Sequence, residues 1–233
     1  MLIPLKDENP TESFAWVTVT LIAVNVAVFI YELTLGPGLE AFIMHYGLIP
    51  NLVTNHPFEL NTLVRVFASM FLHAGWIHVG GNMLYLWIFG NNIEDILGHG
   101  RFALFYFACG LGAVAGHVLS GPASPVLSVG ASGAVAGVLA AYLLLYPSAQ
   151  VLTVVPIFFF IQVIRLPALI VIGLWIVLQF VAGLESLSSR VAQLQGGVAW
   201  FAHIGGFVTG LALILLLPRK RQPKPLPQEG ADW

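Results

Sequence analysis

The chain has 233 residues, of which 58% are hydrophobic and only 9% are charged, and its formal net charge is −2. Soluble domains carry roughly a quarter charged residues, so a water-soluble globule is excluded by so few charges. The balance of charge also provides no basic surface for nucleic acid, and the mean hydropathy of +0.88 predicts an integral membrane protein.

Long apolar blocks predict six transmembrane helices, because a bilayer core of about 30 Å needs about 20 apolar residues per helix. A polar N-terminal segment, residues 1–13, precedes the first block. In chain order the predicted spans are Phe14–Leu35, Trp76–Ile93, Phe102–Leu119, Ser132–Tyr146, Pro167–Leu184 and Val198–Leu217. The predicted fold class is therefore all-α, a polytopic membrane helix bundle formed by one domain over residues 14–217.

The connections between the spans differ in polarity. Gly36–Gly75 is too long for a turn and too mixed to span, so we expect a semi-amphipathic outer loop with short helices at the membrane surface. Val151–Val163 is apolar but short and contains Pro156, which favours an interfacial or a re-entrant segment. The basic, proline-rich tail 218–233 is predicted to be disordered.

The positive residues predict the orientation, because cytoplasmic loops are enriched in Lys and Arg. With six spans and a cytoplasmic C-terminal tail, both termini are cytoplasmic. Only Arg65 and Arg190 of the nine Lys and Arg residues then face outward, which leaves seven inside (9 − 2). The short termini favour a bacterial inner membrane.

The first candidate site is the sequence Gly-Ala-Ser-Gly that begins at Gly130 and contains Ser132. It joins a loop to the start of the fourth predicted span. A serine at a helix N-terminus lies among free backbone N–H groups at the positive end of the helix dipole, where an oxyanion is stabilised. The same serine in a purely structural role would be a helix N-cap, and the motif alone leaves both interpretations open.

The second candidate is His203, in the sixth predicted span, where a histidine needs a polar partner. Gly206 and Gly210 form a face of small residues on the same helix, and a similar face begins at Gly133 on the fourth. Such faces allow two helices to approach closely. If they pair, His203 meets Ser132; otherwise His203 is a structural histidine bonded to a carbonyl.

The third candidate is the pair His78 and Asn82, which lie four residues apart and so share one face of the second predicted span. Both side chains donate hydrogen bonds, although they equally suit a pair that only ties helices together. The second, fourth and sixth spans run in one direction. His78, Ser132 and His203 are therefore expected at similar depth in the outer half of the bilayer, as acyl transfer requires.

Together these residues resemble the rhomboid family of intramembrane serine proteases, over the chain from about Phe14 to Leu217. The motifs that carry the resemblance are Gly-Ala-Ser-Gly at 130–133, Ala-His-Ile-Gly-Gly at 202–206, His78-x3-Asn82, Arg65 in the outer loop and Gly90-x3-Glu94-x3-Gly98. The resemblance implies an enzyme without a metal or other cofactor that acts on transmembrane protein substrates in the lipid bilayer.

The resemblance also implies roles for single residues. Ser132 would be the nucleophile and His203 the general base of a dyad without aspartate. The backbone N–H of Ser132, with Asn82 and His78, would hold the oxyanion. The fifth helix and the loop Glu185–Gly197 would form the substrate gate. Structural roles are implied for Arg65 in the outer loop, Glu94 at the inner helix end, and Gly130, Gly133, Gly205 and Gly206.

Two positions depart from the pattern of well-studied rhomboids. Ala136 replaces an aromatic residue that packs on the histidine, so the sequence does not say what orients His203. Val64 stands where tryptophan often precedes the loop arginine. Neither change touches the dyad.

Other functional classes have less support. Intramembrane His and Asn residues also suit a transporter, but the chain has no evident internal repeat. A catalytically inactive relative that binds membrane segments is a further alternative. A metalloprotease is disfavoured because His78, His117 and His203 lie on different spans without a His-Glu-x2-His pair. We expect a packing role for His117 and surface or interface positions for His45, His56 and His73.

Overall fold

The computed structural model of the protein describes residues 2–157, 160–188 and 199–221. Within these ranges the chain forms nine α-helices. They are α1 (Trp16–Thr34), α2 (Leu39–Tyr46), α3 (Pro50–Asn55), α4 (Leu60–Ala68), α5 (Trp76–Leu97), α6 (His99–Ser120), α7 (Ser132–Leu145), α8 (Ala168–Ser188) and α9 (Trp200–Leu216). Each predicted span overlaps one of the six longer helices, and α2 to α4 lie within the predicted outer loop.

Three of the described helices are long and apolar enough to cross a membrane by length and composition, namely α1, α6 and α8. The helices α7 and α9 are apolar but shorter, with 14 and 17 residues. The chain is thus mostly helical with several candidate spans, and the full count of six crossing helices stays a prediction.

Three strands form an antiparallel sheet in the order β1 (Ile3–Asp7), β2 (Gln150–Ile157) and β3 (Phe160–Pro167). The prediction of an all-α chain is therefore wrong for these segments, and the described residues of Val151–Val163 belong to the paired strands β2 and β3. The physical reason is the richness of this segment in Val, Thr and Ile, which favour a pleated sheet. Pro156 also disfavours a helix interior.

The sheet lies at the end of the bundle where α5 and α7 finish. The carboxylate of Asp7 on β1 accepts hydrogen bonds from the Tyr142 hydroxyl at 2.9 Å and from Asn92 Nδ2 at 2.8 Å. These bonds pair polar groups that are buried near the ends of the two helices. They place the N-terminal strand against the C-terminal ends of two helices.

The start of the C-terminal tail is ordered against the same end of the bundle. The Lys220 N–H donates to the Ile96 carbonyl at 2.7 Å, and the Arg221 guanidinium pairs with Glu12 at 2.6 Å and with Asp95 at 3.0 Å. These contacts give Lys220 and Arg221 defined partners, and the disorder of the tail stays a prediction. Residues 222–233 lie outside the described residues.

The core is built around α7, whose residues from Gly133 to Tyr142 are all buried. Its small residues allow α9 to cross it closely. A Cβ on Gly206 would collide with the Gly133 carbonyl oxygen, and one on Gly210 would lie 2.5 Å from the Gly137 Cα. The two glycine faces, whose pairing the sequence left open, therefore lie against each other. Gly205 makes a similar close contact with α6.

Candidate active site

Ser132 and His203 meet where α7 begins. Ser132 is the first residue of α7, and His203 lies one turn into α9. The distance from His203 Nε2 to Ser132 Oγ is 2.7 Å, and His203 is 8% exposed. This is hydrogen-bond distance, which a general base needs to remove a proton from a nucleophile. The contact follows from the glycine pairing of α7 and α9.

The loop before Ser132 needs glycine at position 130. Gly130 has φ +129°, a conformation that side chains disfavour, and a Cβ there would lie 2.7 Å from His78 Nε2. Its N–H donates to the Ser69 carbonyl at 2.8 Å. The backbone two residues before the serine therefore touches the His78 ring.

Asn82 lies on the same side of the loop and is held by a third histidine. Its Nδ2 donates to His73 Nε2 at 3.0 Å, and the same Nδ2 would lie 3.7 Å from a Cβ on Gly130. The amide thus reaches the segment that leads to Ser132.

His73 is a buried residue, so its predicted surface position is wrong. It is 2% exposed, its Nδ1 bonds the Phe71 carbonyl at 3.2 Å, and its backbone N–H donates to the carboxylate of buried Glu32 at 3.3 Å. Because the Phe71 carbonyl only accepts, Nδ1 carries the ring proton, and Nε2 is left as the acceptor for Asn82. Burial lowers the pKa of His73 to about 4, aided by nearby His78 and opposed by the bond to Phe71.

The other ring nitrogen of His203 has a partner on α8 that the sequence analysis missed. His203 Nδ1 lies 2.6 Å from Gln179 Oε1, and the Trp175 ring lies 5.6 Å from the imidazole between centroids. Gln179 is 7% exposed. A signal existed, because Gln179 is the one strongly polar side chain in the fifth predicted span, where polar groups are suspects for function.

Several side chains of the candidate site line one cavity of about 1200 Å³. Its lining includes Ser132, His203, His78, Asn82 and Trp175. The volume is at least that of a typical ligand-binding pocket.

Comparison with known proteins matches residues 60–220 to the family model described as Rhomboid domain. The chain belongs to the rhomboid family.

Individual relatives agree with this rhomboid assignment. The chain is 30% identical to "Rhomboid protein 1, mitochondrial" of Saccharomyces cerevisiae over 205 residues, 82% of this chain and 50% of the relative. It is 32% identical to "Rhomboid-type serine protease 2" of Emericella nidulans over 165 residues, 66% of this chain and 27% of the relative. It is 28% identical to "RHOMBOID-like protein 6, mitochondrial" of Arabidopsis thaliana, over 91% of this chain and 72% of the relative.

This rhomboid therefore spans half or less of the length of the yeast and Emericella relatives. Two of the three relatives carry a mitochondrial location in their names. The expectation of a bacterial inner membrane has no support from them. An integral, multi-pass membrane location is supported by the rhomboid family and by the apolar helices.

Two residues with expected structural roles, Arg65 and Glu94, lie away from the dyad in this rhomboid. Buried Arg65 donates to the carbonyls of Met44 at 2.8 Å and Gly47 at 3.0 Å, which ties together the segment between α1 and α5. Glu94 accepts from the N–H groups of Val17 at 2.9 Å and Thr18 at 2.8 Å, and so caps the start of α1.

The remaining predicted residues have varied surroundings. His117 has a buried Nε2 without a hydrogen-bond partner among the described residues, and His45 and His56 are exposed. Of the predicted gate loop, residues 189–197 lie outside the described residues. Within the described part of the chain, no three His, Cys, Asp or Glu side chains come together as metal ligands.

Proposed function

We propose that this rhomboid is an intramembrane serine endopeptidase that cleaves transmembrane segments of other proteins with the Ser132–His203 dyad. The observation that carries the proposal is the 2.7 Å hydrogen bond between Ser132 Oγ and His203 Nε2 at the N-terminus of α7, inside a cavity large enough for a peptide. Family membership supports the same reaction class.

The first half of the reaction transfers an acyl group. His203 Nε2 takes the hydroxyl proton as Ser132 Oγ bonds to the peptide carbonyl carbon. The carbonyl oxygen becomes an oxyanion, with the Ser132 N–H, the Asn82 amide and His78 as donors. When the C–N bond breaks, His203 returns the proton to the leaving amine.

The second half is hydrolysis of the acyl-enzyme. A water molecule attacks the ester carbonyl while His203 takes a proton from it, and the proton then returns to Ser132 Oγ as the acid leaves. A helical substrate has its carbonyls hydrogen-bonded, so it must unwind locally before cleavage. We therefore expect a preference for spans with small or helix-breaking residues near their outer end.

The topology that goes with this function has six crossing helices and both termini in the cytoplasm. Strand β1, the α5–α6 turn and residues 218–221 all meet at one end of the bundle, as contacts among Asp7, Asn92, Ile96 and Lys220 indicate. At the other end of the bundle, the segment between α1 and α5 contacts the α6–α7 loop, where the backbones of Leu48 and Ser128 pair. An even number of crossings is consistent with this arrangement.

The decisive experiment is cleavage of single-span substrates by purified protein in liposomes. We expect Ser132→Ala and His203→Ala to abolish cleavage and labelling by a serine-directed fluorophosphonate, while both variants remain folded. Ser120→Ala is the matched control, because its hydroxyl only donates to the His117 carbonyl at the end of α6. Cleavage near the wild-type rate in Ser132→Ala would contradict the proposal, and binding without cleavage by the wild type would favour an inactive relative.

A further inference from the structure

Each ring nitrogen of His203 has one described hydrogen-bond partner, and neither partner carries a charge. Nε2 lies 2.7 Å from Ser132 Oγ, and Nδ1 lies 2.6 Å from Gln179 Oε1. A neutral imidazole has one N–H donor and one acceptor nitrogen, and only the acceptor can take the serine proton. The partner of Nδ1 therefore decides whether His203 is ready to act as a base.

The orientation of the Gln179 amide follows from its second bond. Its Nε2 lies 3.3 Å from the Trp175 carbonyl oxygen, one turn earlier on α8. A carbonyl only accepts hydrogen bonds, so the amide nitrogen faces it and the amide oxygen faces His203. Because Oε1 also only accepts, His203 Nδ1 must carry the proton, and Nε2 is left with its lone pair toward Ser132.

The surroundings leave the ring little freedom. Gln179 is 7% and His203 is 8% exposed, so water is a poor substitute for the amide. The Trp175 ring lies 5.6 Å from the imidazole at an interplanar angle of 37°. Trp175 and Gln179 are four residues apart and share one face of α8. Trp175 and Gln179 therefore contact the His203 ring in place of the aromatic residue that Ala136 replaces.

We infer that Gln179 is a positioning residue that fixes the Nδ1–H tautomer and the ring plane of His203 for the proposed proteolysis. The inference rests on the proposed function of the dyad. The orienting amide is on α8, whereas Ser132 and His203 are on α7 and α9, so the base is oriented only while α8 is docked. Displacement of α8 would release the imidazole.

The test uses two substitutions in the full chain. Gln179→Leu preserves much of the volume but removes the acceptor, and we expect kcat and the rate of fluorophosphonate labelling to fall about tenfold, the effect of one neutral hydrogen bond. KM should change less than about twofold, since the substrate-binding cavity is intact. Gln179→Glu keeps an acceptor, so it should retain more activity than Gln179→Leu.

The pH profile separates positioning from mere packing. A carboxylate at position 179 would favour the imidazolium, so the acidic limb of the Gln179→Glu rate profile should move to higher pH. The imidazoles of His78 on α5 and His117 on α6 also interact electrostatically with His203. Both are unchanged in the two variants, so their contribution is common to both profiles.

Asn25→Leu is the matched control. It removes another buried intramembrane amide, which only donates to the Leu21 carbonyl of its own helix at 2.7 Å. We expect wild-type kcat and pH profile from it, even if its unfolding temperature falls.

Two results would overturn the inference. One is a folded Gln179→Leu protein with wild-type kcat and pH profile, and the other is identical kinetics for Gln179→Leu and Gln179→Glu. Failure of the proposed function looks different, because either the wild type would not cleave or Ser132→Ala would keep the wild-type cleavage activity. If Ser132→Ala is inactive and Gln179→Leu is unaltered, only the role of Gln179 is rejected.

Discussion

One set of buried polar side chains in this bundle forms a chain of hydrogen bonds that ends at the candidate site. Glu32 bonds the backbone of His73, and His73 accepts from Asn82 beside the serine loop. Such groups cost free energy when they are left unpaired in an apolar interior. The chain therefore fixes the Asn82 amide before any substrate binds.

Asn82→Ala tests that amide as an oxyanion donor. We expect kcat to fall by roughly 10² to 10³, because one preorganised donor to the oxyanion is lost, with a smaller change in KM. Steady-state cleavage of a single-span substrate measures both constants. A rise in KM at unchanged kcat would instead assign Asn82 to packing or ground-state binding.

His73 makes a prediction about pH and stability, since it lies between α4 and α5, outside the membrane-spanning segments. Burial lowers its pKa from the ordinary 6.5 to about 4. Below pH 6.5 the unfolded chain binds a proton that the folded chain does not, so this contribution to stability is full above pH 6.5 and is lost as pH falls toward 4.

Replacing His73 with Gln should therefore make the unfolding temperature less dependent on pH between 4 and 6.5. Thermal unfolding in detergent measures this slope. His45→Gln, at an exposed histidine, serves as the control and should keep the wild-type slope. If the unfolding temperature of His73→Gln depends on pH as strongly as that of the wild type, His73 does not cause this dependence.

At the scale of elements, the dyad depends on how closely α9 crosses α7. The Gly206 Cα faces the Gly133 carbonyl, and Gly137 lies against Gly210. Helices at this separation allow a short serine side chain to reach an imidazole on the neighbouring helix. The crossing therefore sets the distance for proton transfer.

Gly206→Ala should force the two helices apart, because its Cβ would overlap the Gly133 carbonyl oxygen. We expect a loss of stability of about 1–3 kcal/mol from overpacking and cleavage lowered by about 10²-fold from misplacement of the base. Gly173→Ala on α8 is the control, since a Cβ there meets nothing within 4 Å. It should be neutral or stabilising by up to about 1 kcal/mol. Equal effects of the two substitutions would contradict the importance of the crossing.

At the scale of the whole molecule, the contacts separate two ends of the bundle. One end contains the three strands and residues 218–221. The other end contains the segment between α1 and α5 and the α6–α7 loop. With six crossings, these ends face opposite sides of the membrane.

Single cysteines test this topology. Cys109 is buried, so a Cys109→Ala background removes the native thiol. Ala123→Cys and Ser148→Cys then introduce thiols at exposed positions at the two ends. An impermeant maleimide added to intact cells should label Ala123→Cys alone, and Ser148→Cys only after the membrane is opened. Labelling of both before opening would refute the six-span arrangement.

The sequence by itself determined the features that depend on local patterns. Blocks of apolar residues predicted six long helices within a few residues of their bounds. The types and spacing of Ser132, His203, His78 and Asn82 made them candidates for the proposed dyad and its donors, because rare polar residues stand out in apolar helices. The glycine faces indicated two helices that could approach closely, but left open whether they pair.

Only the tertiary structure decided contacts between distant segments. The pairing of β1 with β2 joins Ile3 to Val154, and no local pattern at either strand specifies the other. The partnership of Gln179 with His203 depends on the rotation of α8 about its own axis, which packing sets. Hydropathy and periodicity describe one helix at a time, so they cannot say which buried groups meet.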